Sequence, residues 1–184
     1  GKGMLPKHLL ARDLDLLVVE ADRDMVHYLE KNYPALADRI IPGDFMKVNL
    51  KLFLKDEQFS LIGNYPYNIS SQILFKMLEY RDQIPEMVGM FQKEVADRVI
   101  APPGNKIYGV ISVLVQAYYG GEKIFDIGPK EFTPPPKVDS AVIRLWRKDD
   151  QELGCSYKVF RQVVKQAFSQ RRKMLRNTMK VFLG

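Results

Sequence analysis

The hydrophobic pattern divides the chain into short apolar runs and longer segments whose apolar residues recur every three or four positions. Runs rich in β-branched residues are typical of buried strands in a parallel sheet, and they cover residues 14–19, 39–41, 59–62 and 87–91. Helical periodicity follows at residues 24–32, 93–101 and 108–119, and in a helix that Ser70 or Ser71 is expected to cap.

The last two predicted strands enclose a proline-rich loop. They cover residues 122–127 and 140–146, and in the second of them Ala141, Ile143 and Leu145 share one face. Strand–helix alternation that ends in a strand pair predicts an α/β fold with a mostly parallel sheet and an antiparallel edge. Because Gly1-Lys2-Gly3 directly precedes a helical pattern with no strand ahead of it, we expect the chain to begin partway into a domain.

Composition narrows the class of protein. The 184 residues, 46% of them hydrophobic and 27% charged, are enough for one domain with a core. No apolar run approaches the roughly 18 residues that span a membrane, and no signal-peptide pattern opens the chain. One cysteine, Cys155, and two histidines predict no metal site and agree with a reducing compartment, so we expect a cytoplasmic protein.

The net charge of +6 is concentrated near the end of the chain. Residues 151–184 carry eight basic side chains and one acid, whereas the other 150 residues sum to −1. In the last predicted helix, basic residues recur at spacings of three, four or seven positions, which predicts a single basic face. Its residues are Lys158, Arg161, Lys165, Arg172, Arg176 and Lys180. With the cluster Arg171-Arg172-Lys173, this face could bind nucleic-acid phosphates or could be a solvated surface.

Candidate ligand-binding residues stand where the predicted strands end, which is where open α/β sheets bind ligands. A turn with Gly1 and Gly3 would let a ligand approach a helix N-terminus. Glu20 can accept both hydroxyls of a ribose, and Asp44 can accept an adenine amino proton while Phe45 covers the base. Each residue alone could be a turn residue, a helix cap or a solvated charge. Their succession on adjacent strand ends predicts an adenosine pocket.

Two adenosine cofactors compete for this pocket. A dinucleotide also requires a glycine turn and an acid about 20 residues later. It requires neither Asp44-Phe45 nor the corner Asn64-Tyr65-Pro66-Tyr67, whereas S-adenosylmethionine accounts for both. S-adenosylmethionine is therefore the predicted cofactor.

The corner Asn64-Tyr65-Pro66-Tyr67 predicts a binding site for an exocyclic amine. Pro66 restricts its own φ and holds the preceding residue extended, so backbone carbonyls at the corner are fixed. The Asn64 side chain and a backbone carbonyl could then accept both amine hydrogens, which frees the nitrogen lone pair to attack a sulfonium methyl. Tyr67 could stack on the ring that carries the amine. The alternative is a rigid loop whose tyrosines pack for stability.

Phe132 is a candidate for the second aromatic face. It begins the proline-rich loop Phe132-Thr133-Pro134-Pro135-Pro136-Lys137-Val138, and it could lie opposite Tyr67 around a base. A base reached in this way must be flipped out or already in a loop. A core-capping phenylalanine in a proline-rich turn is the alternative.

Five stretches carry a family resemblance: GNYPYNISSQILFKML, MFQKEVADRV, YGVISVLVQAYY, FTPPPKVDSAVIRL and FSQRRKMLRN. The chain resembles the small-subunit ribosomal RNA adenine N6,N6-dimethyltransferase family, the bacterial kasugamycin-sensitivity enzymes. The resemblance implies a Rossmann-like class I methyltransferase fold with a mostly parallel seven-stranded sheet, an antiparallel edge and the start of a small helical C-terminal domain. We therefore expect a methyltransferase domain over residues 1–148, without its N-terminal part, and a truncated basic RNA-binding domain over residues 149–184.

The resemblance also implies roles for the candidate residues. The cofactor-binding set is Gly1, Gly3, Glu20, Asp44, Phe45 and Asn64. The catalytic set is Asn64, Pro66, Tyr67 and Phe132. The RNA-binding set, taken from the charge pattern, is Arg171, Arg172, Lys173 and Arg176. Tyr65 stands where the family usually has leucine, on the side expected to face the core or its rim.

The activity that the resemblance implies is S-adenosylmethionine-dependent dimethylation of two adjacent adenosines in the 3′-terminal hairpin loop of 16S rRNA. A role in small-subunit maturation and a monomeric state are also expected. Two alternatives stay open: a macrolide-resistance methyltransferase acting on 23S rRNA, and a non-catalytic ribosome-assembly factor. The stretches QKEVADR and FSQRRKMLRN favour the first function over the macrolide-resistance type, and an intact Asn64 corner argues against a pure binding protein.

Overall fold

Strands and helices alternate along most of the chain, as the hydrophobic pattern predicts. The computed structural model describes residues 4–183, which divide into one compact unit within residues 4–56 and another within residues 57–183. Among these residues there are six strands in two sheets, so the α/β class is confirmed and the count of seven strands stays a prediction. No helix in residues 4–183 has the length and apolar character required to cross a membrane.

The first unit is built on a short pair of parallel strands. Its elements are α1 (Met4–Leu10), β1 (Val18–Glu20), α2 (Arg23–Asn32), a 3₁₀ helix (Pro34–Arg39), β2 (Ile40–Pro42) and α3 (Lys51–Leu54). Asp22 caps α2 by accepting from the backbone N–H groups of Asp24 and Met25. The strand predicted over residues 14–19 begins four residues later than expected, because its partner β2 is only three residues long.

The second unit contains a four-stranded sheet. Its strands are β3 (Leu61–Asn64), β4 (Glu86–Gln92), β5 (Tyr119–Ile127) and β6 (Ser140–Arg147). Their order is β3-β4-β6-β5, with β3 parallel to β4 and with β6 antiparallel to both of its neighbours. The antiparallel edge that the sequence predicts is therefore present.

The helices of the second unit follow the strands. They are α4 (Ser70–Glu79), α5 (Lys93–Ile100), α6 (Val110–Gln116), α7 (Tyr157–Phe168), α8 (Leu175–Thr178) and α9 (Lys180–Leu183), with 3₁₀ turns at Tyr67–Ile69 and Pro129–Glu131. The face of β6 formed by Ala141, Ile143 and Leu145 is buried, as its alternation predicts. Apolar residues of α4, among them Ile73, Leu74 and Met77, are fully buried as well.

Two helix predictions are wrong in their extent. The helix predicted over residues 108–119 spans only Val110–Gln116, because Tyr119 is buried at the start of β5 and its hydroxyl donates to Ile84 O at 2.7 Å. The single basic terminal helix ends at Phe168, and two four-residue helices follow it. Its predicted continuous basic face is therefore absent from residues 157–183.

Candidate active site

The corner at the end of β3 turns the chain from a strand into a helix within six residues. Asn64 is the last residue of β3, and Tyr65 extends the parallel pairing because its N–H donates to Met90 O at 3.3 Å. Pro66 is extended, with φ −58° and ψ 132°. The following 3₁₀ turn closes when Ile69 N donates to Pro66 O at 3.1 Å. Pro66 thus supplies the bend at a strand end, as its restricted φ predicts.

The Ser70 hydroxyl links two backbone carbonyls of the corner. It is buried as the first residue of α4, and its hydroxyl donates to Pro66 O at 3.3 Å and to Tyr67 O at 3.1 Å. The cap position belongs to Ile69, so Ser70 is not the helix cap that the sequence suggested. Because Pro66 O already accepts two hydrogen bonds, it is poorly suited to receive a further donor from a ligand.

Two acceptors at the corner remain available. The Asn64 side chain is exposed, and within residues 4–183 it makes no hydrogen bond. The Tyr65 carbonyl likewise accepts none from that part of the chain. An amide oxygen and a carbonyl oxygen on successive residues of a fixed corner form a site for a group with two N–H donors.

Tyr65 anchors the corner in the core. Its side chain is only 8% exposed, and its ring centroid lies 5.2 Å from that of Phe91. The ring occupies space over two glycines of the sheet: a Cβ on Gly63 would lie 2.7 Å from the ring, and a Cβ on Gly89 would collide with it. Burial raises the pKa of the Tyr65 hydroxyl, which has no hydrogen-bond partner among the described residues. The sequence predicted that Tyr65 faces the core or its rim, and it faces the core.

Tyr67 is held by a residue that sequence reasoning missed. Its hydroxyl is hydrogen-bonded to the hydroxyl of Ser140, and either oxygen can be the donor. Ser140 is fully buried as the first residue of β6, where it pairs with Gln92 on one side and Ile127 on the other. Only its position directly after FTPPPKVD could have drawn attention to it, because a serine is an unusual choice for a buried strand residue.

Phe132 lies in the loop between β5 and β6. Its side chain is half-buried, and its N–H donates to Pro129 O at 3.2 Å. The loop returns to the sheet at Asp139, whose carbonyl accepts from Lys93 N at 2.9 Å. Ser140 then begins β6, so the chain that carries Phe132 ends at the residue that binds Tyr67.

Ion pairs fix the other end of this loop. Asp126, near the end of β5, pairs with Lys93, and it also pairs with Lys123 at 3.2 Å. Lys123 in turn lies 3.0 Å from Asp97 on α5. The pKa of Asp126 is lowered, first by its hydrogen bond with Lys93 and then by that with Lys123. Both ends of the Phe132 loop are thus attached to α5.

The candidate cofactor acids lie together in the first unit. Glu20 ends β1, and Gly43 after β2 donates its N–H to Glu20 O at 2.8 Å. One carboxylate oxygen of each acid accepts a local backbone donor: Asp22 N to Glu20 Oε1 at 3.0 Å, and Met46 N to Asp44 Oδ1 at 2.9 Å. Within residues 4–183 the second oxygen of each carboxylate accepts no hydrogen bond, and Phe45 beside Asp44 is half-buried. The predicted glycines Gly1 and Gly3 lie outside the described residues.

The basic cluster contains two kinds of residue. Arg171, Arg172, Lys173 and Arg176 are all exposed. Arg171, however, donates to the carbonyls of Lys106 at 3.0 Å and Tyr108 at 2.6 Å, which attaches the turn after α7 to the loop before α6. Upstream, Arg161 lies 5.1 Å from the ring of Phe75, so this side chain packs against α4. Arg172, Lys173 and Arg176 make no ion pair within residues 4–183.

The chain matches the family model described as ribosomal RNA adenine dimethylase over residues 1–184. It belongs to the ribosomal RNA adenine dimethylase family. The family and the enzyme class predicted from the sequence, an rRNA adenine dimethyltransferase, are confirmed by this match.

Curated relatives agree with the family match. Ribosomal RNA small subunit methyltransferase A of Parabacteroides distasonis is 56% identical over 185 residues, which cover 100% of this chain and 69% of the relative. The protein of the same name from Flavobacterium johnsoniae is 52% identical over 180 residues, covering 98% and 69%. This member of the dimethylase family therefore spans about two thirds of the length of these relatives.

Solved structures share the fold. A dimethyladenosine transferase from Plasmodium falciparum superposes with a TM-score of 0.84 at 28% identity, covering 98% of this chain and 64% of that one. The 23S rRNA methyltransferase ErmE superposes with a TM-score of 0.77 at 22% identity, covering 98% and 72%. The second likeness supports the class I methyltransferase fold alone.

Proposed function

We propose that this chain carries the methyl-transfer site of an enzyme that dimethylates N6 of two adjacent adenosines in the 3′-terminal hairpin loop of 16S rRNA. The observation that carries the proposal is the exposed Asn64 amide, which has no partner within residues 4–183 and lies at a corner held by hydrogen bonds from Ser70. The relatives that are more than half identical are named for the small ribosomal subunit, which supports 16S rather than 23S rRNA as the substrate. We further propose that the enzyme acts as a cytoplasmic monomer during subunit maturation.

The residues present fit S-adenosylmethionine as the methyl donor. Glu20 and Asp44 stand at the carboxyl ends of paired parallel strands, and each keeps one carboxylate oxygen free of local hydrogen bonds. Glu20 would hold the ribose hydroxyls, and Asp44 would hold the adenine amino group while Phe45 covers the base. Gly1, Gly3 and Asn64 complete the proposed set. When bound, this cofactor supplies a methyl group activated by a positively charged sulfonium.

The two free acceptors of the corner would grip the target amine. Asn64 Oδ1 and the Tyr65 carbonyl each accept one N6 hydrogen of the adenosine, since Pro66 O is already engaged by Ile69 and Ser70. Accepting both hydrogens favours a pyramidal nitrogen and withdraws its lone pair from the ring, so the nitrogen becomes a better nucleophile. After the first methylation one hydrogen remains, and one acceptor is enough to orient the second transfer.

Aromatic side chains would hold the target base. Tyr67 is proposed to stack on one face of a base that has left its stack, and Phe132 on the other. Pro66 fixes the course of the backbone between Asn64 and Tyr67, with φ −58° and ψ 132°. Arg172, Lys173 and Arg176 would bind RNA phosphates directly, with Arg171 holding their turn in place.

A methyl-transfer assay on ribosomal subunits tests the proposal. The full-length protein is incubated with labelled S-adenosylmethionine and with small or large subunits from cells that lack the gene, and modified nucleotides are mapped in the rRNA. We expect N6,N6-dimethyladenosine at two adjacent positions of the small-subunit 3′ hairpin. Label confined to 23S rRNA would instead support the macrolide-resistance type. Subunit binding without any transfer would support a non-catalytic assembly factor.

A further inference from the structure

A hydrogen bond joins two residues that are 73 positions apart, at the corner and at the start of β6. Tyr67 and Ser140 share it through their hydroxyls, and β4 lies between the strands to which they connect, because the sheet order is β3-β4-β6-β5. We infer that Ser140 is a positioning residue for methyl transfer, which fixes the Tyr67 ring and thereby the plane of the target base. This inference rests on the function proposed above.

Ser140 is itself immobilised on three sides. It is fully buried, its backbone pairs with both Gln92 and Ile127, and the preceding carbonyl of Asp139 accepts from Lys93 N at 2.9 Å. Such a residue has a fixed Cα and Cβ, so its hydroxyl is confined to a few rotamers. Tyr67 contrasts with it, because this residue lies in a three-residue 3₁₀ turn and its side chain is only half-buried.

The hydrogen bond with Tyr67 gives a physical reason for a serine at this buried position. A buried hydroxyl without a hydrogen bond destabilises a protein by about 1–3 kcal/mol, and an apolar residue would suit the first position of β6 as well as Ala141 suits the next. Ser140 has its hydrogen bond because the Tyr67 hydroxyl reaches it. Because Tyr67 makes this contact through its hydroxyl, the hydrogen bond covers neither face of the ring. A ring face therefore stays available for stacking.

Ser140 also connects the two aromatic residues proposed to hold the base. It ends the loop that carries Phe132, and it binds Tyr67 on the opposite side of β4. One buried residue thus binds Tyr67 and also ends the loop that carries Phe132. A merely structural serine would stabilise the fold without changing the geometry at the target base.

Steady-state methyl transfer by the full-length protein tests this role. The variants are Ser140→Ala, Tyr67→Phe and the double variant, assayed on small subunits that lack the modification. We expect each single substitution to lower kcat about 10-fold with KM for the subunit changed less than about 2-fold, because a misplaced base reacts slowly although the RNA still binds. The double variant should be no slower than Tyr67→Phe alone, within about 2-fold, because both substitutions remove the same hydrogen bond.

Ser112→Ala is the matched control. Ser112 is also fully buried, and its hydroxyl accepts from Gly109 N and donates to Arg98 O, away from the corner. This variant should lower Tm while leaving kcat unchanged. If Ser140→Ala does not fold, Tyr67→Phe removes the same hydrogen bond from the less buried partner and carries the test alone.

Three results would overturn the inference. A Tyr67→Phe or Ser140→Ala variant with the kcat of the unsubstituted protein would show that the hydrogen bond does not position the base. Losses of kcat that multiply in the double variant would show that Ser140 and Tyr67 affect turnover independently, and not through their shared hydrogen bond. An unsubstituted protein that transfers no methyl groups to small subunits would instead overturn the proposed function, and the role of Ser140 with it.

Discussion

The corner at Asn64 and the basic turn after α7 hold their polar groups in opposite ways. At the corner, the Ser70 hydroxyl binds Pro66 O and the Tyr67 hydroxyl binds Ser140. Within residues 4–183, the exposed Asn64 amide and the Tyr65 carbonyl have no partner. In the basic turn, which is the stretch that carries Arg171, Arg172, Lys173 and Arg176, all four charged side chains are exposed. The turn is attached through Arg171 and through Gln166, which donates to Thr178 O at 2.6 Å.

The difference follows from what each region is proposed to bind. Transfer of a methyl group requires an amine held within a fraction of an ångström, so its acceptors must be fixed by the core. A phosphate backbone is bound through charge, which acts over several ångströms and needs little fixed geometry. Substitutions at the corner should therefore change turnover or folding, whereas substitutions in the basic turn should change salt-dependent binding.

The largest expected effect is at Asn64. Replacing Asn64 with Ala should lower methyl transfer by about 10²–10³-fold, because one of two acceptors on the amine is lost, and should leave subunit binding unchanged. Labelled methyl transfer and subunit binding are measured side by side. Gln72→Ala, which removes another exposed amide in the first turn of α4, is the matched control and should be fully active. A nearly normal rate for Asn64→Ala would contradict the assignment of Asn64 as an acceptor for the target amine.

The next largest effect tests the anchoring of the corner in the core. Gly89→Ala should lower the free energy of unfolding by about 3 kcal/mol, because the added Cβ collides with the Tyr65 ring in a packed sheet. Urea unfolding measures the change. Gly128→Ala is the control, since a Cβ there meets no atom within 4 Å, and it should be close to neutral. Equal stability of the two variants would contradict the packing described here.

The basic turn should divide into two functions. Replacing Arg172 with Gln should weaken subunit binding several-fold and reduce the slope of log K against log salt by about 1, because one phosphate contact is lost. Arg171→Gln should leave the slope almost unchanged, since its guanidinium is bound to the carbonyls of Lys106 and Tyr108. Binding titrations at several salt concentrations measure both slopes. If Arg171→Gln reduced the slope by about 1, Arg171 would be assigned to phosphate binding instead.

A smaller effect should separate the two corner tyrosines by sign. Tyr65→Phe removes a buried hydroxyl that has no partner among the described residues, so the free energy of unfolding should rise by about 1 kcal/mol. Tyr67→Phe should lower it by about the same amount, because the buried Ser140 hydroxyl loses its partner. Denaturant unfolding of both variants provides the test, and a destabilised Tyr65→Phe would imply a partner for that hydroxyl.

The smallest effect concerns acid sensitivity at the loop that carries Phe132. The pKa of Asp126 lies below its ordinary value of 3.8 because Lys93 and Lys123 bind its ionised form. Its contribution to stability is therefore present above that value and is lost as the pH falls through the lower folded value. Asp126→Asn should flatten the loss of stability between pH 5 and 2, measured by urea unfolding at each pH. Glu152→Gln is the exposed control.

Much of this molecule was predictable from local patterns. The alternation in residues 140–146 predicts which face of β6 is buried, and the apolar runs predict β4 and the helices beside it. Asn64, Pro66 and Tyr67 could be singled out because an amide, a proline and a tyrosine at a strand end have few structural reasons to occur together. The position of Tyr65 on the core side also followed from its place between them.

Other features depended on distant residues and could not be predicted in this way. The spacing of basic residues after Phe168 continues a helical period, but the chain leaves the helix there and Arg171 binds a loop more than 60 positions away. The extent of β5 depends on the burial of Tyr119 at the antiparallel edge, which local propensity does not report.

The amino-acid sequence by itself determined the α/β class, the family and the residues of the Asn64 corner, because periodicity and motif spacing are local properties. Only the tertiary structure decided which groups at that corner are occupied and which are free. Ser70 engages Pro66 O, Ser140 engages Tyr67, and the Asn64 amide is left without a partner in the described chain. Hydrogen-bond partners distant in sequence are brought together only when the sheet forms, so no local pattern contains them.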